Sequence, residues 1–286
     1  MFISNFLSTK VSFFCSPKSD NPEASERAMS DKDNKKHLIP ALERGLMILM
    51  ELNRHHREMS FSELVKRVGY PQATSHRAVQ TLEHMGFLRH HPVTGLYSLG
   101  VNVLRLGFEY VASLDVVQIG QPVIESLCEQ TGCSSHIAIR DGRDAVYVAR
   151  VGASNATIRR VSVGTRLPLH CTSLGRMLLT DLSREEFETL YPPDYLLDKE
   201  PGAPANRDVL WDLVQEDRQR GYVIADSYYH FGISSVVYPL YNHDGSMEGV
   251  ISIMVPVHEV PAEKRDRLQS CVAEAAATIS AMLGYG

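Results

Sequence analysis

Between Pro71 and Glu83 the chain reads PQATSHRAVQTLE, and its polar side chains are amides, hydroxyls, an imidazole and a guanidinium, with no acid before Glu83. Gln72, Thr74, His76, Arg77 and Gln80 are donors and acceptors of the kind that match base edges and phosphates in a major groove. The solvent face of an ordinary core-packed helix mixes Glu and Lys instead. Arg89, His90 and His91 follow a few residues on, where a second contact with a phosphate backbone is possible. His170-Cys171 is the other pair with chemical potential. A nucleophile and its base are normally brought from separate parts of a chain, so Cys171 is expected to be a packed small residue, with a thiol redox sensor as the other option. His55-His56 and His90-His91 invite a metal reading. Adjacent histidines diverge by about 100° on a helix and point to opposite faces on a strand, so neither pair chelates alone, and no metal or cofactor is expected.

The elements that must hold the acid-poor face are legible around it. Ser60 and Glu63 form an S-x-x-E capping box, which predicts a helix from Phe61 with Leu64, Val65 and Val68 on one face and Gly69 as its stop. Pro71 suits the first residue of a second helix, where its missing N–H costs nothing. In that helix Ser75, Ala78, Val79, Leu82 and Met85 recur at inward spacing, and Gly86 sits at the C-terminal cap. Two helices joined by a glycine-containing turn are a helix-turn-helix pattern. Phe87 to Leu99 reads as strand, Pro-Val-Thr-Gly turn and strand, a hairpin wing. Ile39 to His56 reads as a preceding helix with a stripe of Leu42, Leu46, Leu49 and Met50. Glu58 to Ser60 is expected to add a short strand to the wing.

Composition narrows the class. The chain has 286 residues, 44% hydrophobic and 22% charged, with a formal net charge of −5. That is the balance of an ordinary globular protein long enough for two domains, and it excludes a uniformly basic nucleic-acid coat. From Pro40 to Leu99, however, seven Arg and Lys stand against five acids. A modest local excess on an acidic protein suits a sequence-specific binder better than an indiscriminate one. The five cysteines are odd in number and lack zinc-ligand spacing, which points to reduced thiols and a cytoplasmic location. No apolar run approaches the length of a membrane span.

Residues 1–36 read as a disordered tail. They lack the basic start and uninterrupted apolar core of a secretory signal, and Met29 is expected to be a natural start. Gly100 to Ser113 is a helix apolar on most sides, read as a linker over residues 100–114 and as a candidate dimer interface. Asp115 to Thr131 is a helix with Ile119, Val123, Ile124 and Leu127 inward, ended by Gly132. Strands follow at Ser135–Arg140 and Ala145–Val151 around Asp141-Gly142-Arg143-Asp144, then at Ala156–Val163. Gly164 to Gly175 reads as a loop entering a helix at Arg176–Thr180. Ser183 and Glu186 start another helix, Pro192–Pro204 is a loop, and Asn206–Arg220 is a helix. Strands at Tyr222–Ala225, Ser234–Leu240 and Met247–Val255 precede a closing helix at Pro261–Leu283. The sum is an α+β chain: a winged helix-turn-helix over residues 37–99, a linker helix, and a sheet domain over residues 115–286.

The sequence resembles the IclR family of bacterial transcriptional regulators over roughly Pro40 to Gly284. The resemblance is carried by ALERGL (Ala41–Leu46), PQATSHR (Pro71–Arg77), Tyr97-Ser98-Leu99-Gly100, GTRLPLHCTSLGRMLL (Gly164–Leu179), Gly221-Tyr222 and GISSVVYP (Gly232–Pro239). Many short motifs in the right order are specific where one alone is weak. The resemblance implies a winged helix-turn-helix joined to a GAF-like effector-binding domain, with homodimers or dimers of dimers on palindromic double-stranded DNA operators. It implies a small metabolite effector, often an organic acid, and no enzymatic activity. Candidate DNA contacts are Gln72, Thr74, Ser75, His76, Arg77, Gln80 and Arg89. Carried over by position, the effector-lining places hold Ala156, Arg159, Leu167, Ser173, Leu174, Ala225, Asp226, Ile233, Ser235 and Ser252.

There are departures from the family pattern. Ala225 stands where many members have Asp, although Asp226 is adjacent. Tyr228 and Tyr229 replace an acidic pair, and Met254 stands where some members carry Ser. Arg159 is preferred to Arg160 as the inward cation, since only one of two neighbours on a strand can point in. The resulting expectation is a ligand-responsive regulator of a catabolic operon whose effector is a small carboxylic acid, aromatic or partly apolar. The alternative is a small-molecule or redox sensor or enzyme domain that uses its helix-turn-helix for protein contacts.

Overall fold

A computed structural model describes residues 38–153, 161–195, 203–226, 233–256 and 262–286. It divides between Leu106 and Gly107 into two compact units.

In the first unit, α1 spans Pro40–Glu51. It stops short of the expected His56 because the Asn53 side chain accepts from the backbone N–H groups of His55 and His56, closing a turn in place of further helix. After β1 (Glu58–Ser60), α2 (Phe61–Val68) begins on the expected capping box: the Ser60 hydroxyl accepts from Glu63 N–H, and the Glu63 carboxylate accepts from Ser60 N–H. Those bonds hold the Glu63 carboxyl below the usual carboxylate range. Gly69 ends α2 in a left-handed conformation at φ 70°. Pro71 is the N-cap of α3 (Gln72–His84), one position earlier than its expected place inside the helix. The wing strands are β2 (Leu88–His90) and β3 (Leu96–Leu99), and β1 pairs on the far side of β3, giving the order β1-β3-β2.

The core of this unit is Ile48, Leu52, Met59, Leu64, Val79 and Leu88. The expected α1 stripe is corrected by this arrangement. Gly45, Ile48 and Leu52 face in, whereas Leu42, Leu46 and Met50 are exposed. Met85, expected inward on α3, is exposed too and lines an open groove between α1 and α3 with Leu42 and Leu46.

Helix α4 (Val101–Ala112) follows, with Val101, Leu104, Leu106, Phe108 and Tyr110 exposed on the single chain. Its start is tied to the end of the recognition segment. Asn102 Nδ2 donates to Met85 O at 2.7 Å, and Gly100 N–H donates to Phe87 O at 2.8 Å. A Cβ on Gly100 would overlap the Gly86 carbonyl, so this approach requires glycine.

The second unit is built on one antiparallel sheet. Helix α5 (Asp115–Thr131) leads into β4 (Ser134–Asp141) and β5 (Asp144–Val151), which turn through Gly142. Then come β6 (Arg166–Pro168), a 3-10 turn at Leu169–Cys171, α6 (Ser173–Leu179), α7 (Arg184–Leu190) and α8 (Arg207–Arg220). The chain closes with β7 (Val223–Asp226), β8 (Ile233–Tyr241), β9 (Met247–Pro256) and α9 (Ala262–Met282). The strand order is β6-β5-β4-β9-β8-β7, a curled GAF-like sheet.

The expected strand at Ala156–Val163 fails where it can be read. Residues 161–163 lead into a turn in which Thr165 N–H donates to Ser162 O, and Gly164 takes φ 83°. The expected loop from Gly164 to Gly175 instead contains β6, the 3-10 turn and the start of α6. Helix α6 begins at Ser173 rather than Arg176 because the Thr172 hydroxyl caps it by accepting from Gly175 N–H.

The sheet has two dressed faces. Ile137, Val148, Ile251 and Ile253 pack beneath α5 and α9. On the opposite face Ala138, Tyr147, Val237 and Met254 pack with Leu174, Met177 and Phe187 from α6 and α7 and with Leu210 from α8.

Candidate functional site

On α3, Gln72, His76, Arg77 and Gln80 are exposed and Thr74 is half-buried. Ala73, His76, Arg77, Gln80 and His84 fall at helical spacing, so one exposed face collects the imidazoles, the guanidinium and an amide. The His76 ring stands edge-on to Phe61 at 5.5 Å, which fixes its direction from α2. Ser75 is a correction to the candidate DNA contacts: it is 1% exposed and turned into the unit, where a helix that displays His76 and Arg77 must bury it. Arg89 is exposed on the wing.

The histidines near the helix-turn-helix have other work. His56 Nε2 is 2.9 Å from Arg67 Nη2, His90 stacks on Tyr97 at 4.6 Å, and His91 Nε2 is 3.2 Å from a Glu58 carboxylate oxygen. Thr94 and Gly95 close the wing turn, with Val93 exposed at its tip.

In the second unit the site is built by strand register. Ser235 on β8 lies opposite Met254 on β9 and Ala225 on β7. Met254 in turn lies opposite Ser134 on β4. One pair along, Ser252 lies opposite His136 on β4 and Val237 on β8. Directly opposed residues, and residues two apart on a strand, share a face. Ser235, Ser252, Met254, Ala225 and His136 therefore all belong to the face covered by α6.

Ser173, the first residue of α6, brings its hydroxyl to 2.7 Å from the Ser235 hydroxyl, and both residues are buried. Leu174 beside it is buried and Leu167 is half-buried against the same core. Asp226 and Ile233 take their places through backbone pairing with Ser234 and Pro256. Ala156 and Arg159 lie outside the described residues, as do Arg160, Tyr228 and Tyr229.

Sequence reasoning missed His136. Its only signal was a histidine in a strand of otherwise small or apolar residues, SSHIAI. It is 2% exposed, its ring meets Tyr147 edge-on at 5.4 Å, and burial, assisted by the Arg150 charge, pushes its pKa down to about 3. The ring is therefore neutral at physiological pH. Its Nδ1 and the Ser252 hydroxyl are both buried and have no hydrogen-bond partner among the described residues.

Cys171 is fully buried, and its thiol points to Pro168 O at 3.7 Å. His170 is buried between Tyr191 and Tyr195, and burial lowers its pKa. This is the environment of packed residues. No helix among the described residues is long and apolar enough to cross a membrane.

A winged helix-turn-helix with a cationic, acid-free recognition face, followed by a separate curled-sheet unit with a buried polar cluster, defines a DNA-binding regulator of the two-unit type. Comparison with known proteins agrees. Residues 41–92 match the family model described as the IclR helix-turn-helix domain, and residues 108–281 match that of the bacterial transcriptional regulator IclR C-terminal domain. The chain belongs to the IclR family of transcriptional regulators, a family of DNA- and effector-binding proteins rather than enzymes.

It is 30% identical to the HTH-type transcriptional regulator KipR of Bacillus subtilis over 239 residues, 84% of this chain and 95% of that protein. It is 27% identical to the HTH-type transcriptional regulator XynR of Escherichia coli over 248 residues, 87% of this chain and 98% of that protein. Among solved structures it resembles an IclR homolog from Microbacterium hydrocarbonoxydans complexed with 4-hydroxybenzoate. The TM-score there is 0.74 at 22% identity, covering 85% of this chain and 98% of that one.

Proposed function

We propose that this chain is a cytoplasmic, ligand-responsive regulator of a catabolic operon, and that its effector is a small carboxylic acid with an aromatic or partly apolar body. The observation that carries the effector reading is the buried hydroxyl pair of Ser173 and Ser235 at 2.7 Å, with Ser252 on the same sheet face. A buried carboxylate without a cation or several donors is strongly penalised. The hydroxyls of Ser173 and Ser235 among apolar Leu174 and Met254 answer that demand in part, with Ser252 close by, and Arg159 is assigned the charge. Asp226, Ile233, Leu167, Ala225 and Ala156 complete the proposed lining. The Microbacterium protein, which holds 4-hydroxybenzoate, lends the aromatic body support by fold likeness.

Titration calorimetry with a panel of aromatic and aliphatic acids tests this. Acids are expected to bind, and Arg159→Ala and Ser235→Ala are each expected to weaken them. Binding of neutral or cationic compounds only, or parent-like acid binding by both variants, would end the carboxylate reading.

DNA contact is assigned to Gln72, Thr74, His76, Arg77, Gln80 and Arg89. Arg77→Ala is expected to cost about 1–3 kcal/mol in operator affinity if the guanidinium reads a base edge. If it touches phosphate alone, binding falls on all sequences alike and the salt dependence flattens. A mobility shift on the DNA upstream of the protein's own gene, at several salt concentrations, separates the two, and unchanged affinity everywhere would remove Arg77 from the interface.

The exposed apolar side chains of α4 support assembly as a dimer or a dimer of dimers, since a helix this apolar ordinarily finds a partner. Two recognition helices would then meet half-sites about one helical turn apart, or a multiple of it. Footprinting is expected to show an inverted repeat. A chain that stays monomeric at micromolar concentration with and without DNA contradicts this. Effector and DNA binding are coupled in this proposal by roughly 1–3 kcal/mol.

A further inference from the structure

We propose that His136 and Ser252 together form a subsite that reads a hydroxyl group on the effector, so that the ligand is a hydroxy-substituted acid rather than a plain one. This rests on the acid-effector reading above and adds a second polar anchor to it.

Two polar groups lie side by side in the floor of the sheet. His136 and Ser252 are directly paired across β4 and β9, so their side chains leave the same face next to one another. They are 2% and 0% exposed, and His136 Nδ1 and Ser252 Oγ have no partner among the described residues. Buried donors and acceptors without partners are costly and rare in folded proteins, and each requires an explanation. Ser252 is also the diagonal neighbour of Ser235, whose hydroxyl meets Ser173. Diagonal neighbours sit roughly 7–8 Å apart, about the span of a small substituted acid.

The chemistry of the pair selects the group it takes. An imidazole kept neutral offers one donor and one acceptor nitrogen, and a serine hydroxyl can play either part. The partner that satisfies both must donate and accept at once, as a hydroxyl does. An ionised carboxylate only accepts. Placed beside His136 it would favour the protonated ring, so its binding would draw a proton from solution. Burial and the cation of Arg150, which is paired directly with His136 across β4 and β5, oppose that charge, and Tyr147 lies edge-on to the ring. We assign the carboxylate to the donor pair Ser173 and Ser235, and the hydroxyl to His136 and Ser252, which can donate and accept at once.

The test uses the full-length protein and matched pairs of acids that differ by one hydroxyl: 4-hydroxybenzoate with benzoate, 3-hydroxybenzoate with benzoate, and lactate with propionate. Calorimetry is run on the parent, His136→Leu and His136→Gln. For at least one pair the hydroxy acid is expected to bind the parent about tenfold or more tightly than its deoxy partner. His136→Leu is expected to bring that ratio to within about twofold, and His136→Gln, which keeps a donor and an acceptor, is expected to retain part of the preference. Thermal melts show whether each variant is folded. If His136→Leu is not, His136→Gln carries the comparison, and parent-like or complete loss of discrimination by it counts against the subsite. Parent binding of acids without a hydroxyl preference, or an unchanged preference in both variants, overturns the subsite alone. Binding of no acid at all overturns the acid-effector reading and this inference with it. Repeating the titrations in buffers of different ionisation enthalpy reads proton uptake. None is expected, and one proton taken up per ligand would place the carboxylate at His136 and overturn the assignment.

Discussion

Asp217→Ala is expected to lower the stability of the second unit by about 3–5 kcal/mol, the cost of removing one partner from a buried ion pair. Asp217 on α8 is 1% exposed and takes both arms of the Arg176 guanidinium on α6, Nε at 2.8 Å and Nη2 at 3.1 Å. Arg220 adds a third contact at 3.3 Å from its half-solvated position. The bidentate geometry fixes the direction of α6 against α8, and with it the position of Ser173. Removing the carboxylate takes two charge-assisted hydrogen bonds from a buried cation. The reporter is built in: the protein has a single tryptophan, Trp211, which lies on α8 against Phe187 at 4.8 Å. Its fluorescence therefore follows the melting of this unit. A drop of roughly 10 °C or more is expected. A double variant with Asp217→Leu and Arg176→Met is expected to recover most of the loss, because a well-packed apolar pair often equals a buried ion pair in stability. A single variant that melts like the parent would show that the pair contributes little.

The second large effect is expected at Gly175. A Cβ there would overlap the carbonyl oxygen and Cα of Leu169, which are backbone and cannot swing aside. Gly175→Ala must push α6 away from the 3-10 turn that precedes it, at a cost of about 3 kcal/mol, the upper end of the usual overpacking range. The same displacement carries Ser173 away from Ser235. The variant is expected to lose the proposed acid binding while retaining DNA binding in the mobility shift, because the helix-turn-helix belongs to the other unit. Parent-like melting followed by Trp211, together with parent-like acid binding, would show that the close approach is easily relieved.

Features fixed by near neighbours in sequence were legible without coordinates. Both capping boxes, Ser60 with Glu63 and Ser183 with Glu186, form as their spacing requires, and Asn206 caps α8. Helix α5 has the bounds that its pattern and Gly132 gave it. What failed depends on distant partners. Helix α1 carries two apolar stripes, and periodicity cannot say which of Ile48 or Leu46 the rest of the unit will cover. The short strand β6 exists only because β5 offers an edge, through the pairing of Leu167 with Ala145. The same holds for the polar cluster. Ser173 and Ser235 are 62 positions apart, and the pairing of His136 with Ser252 spans more than a hundred. No local pattern marks either as a pair, and the family resemblance supplied the serines while leaving the histidine unnoticed.

The bonds at the start of α4 determine where any motion has to enter the DNA-binding unit. Asn102 and Gly100 fasten the first turn of that helix to Met85 and Phe87, directly after the recognition helix. Together with the glycine contact at Gly86, they make this turn a rigid handle on the reading head rather than a flexible tether. Bending between the wing and this turn would have to break those bonds. Any rotation of this first turn would therefore carry the helix that bears His76 and Arg77 with it, because the same bonds join the two.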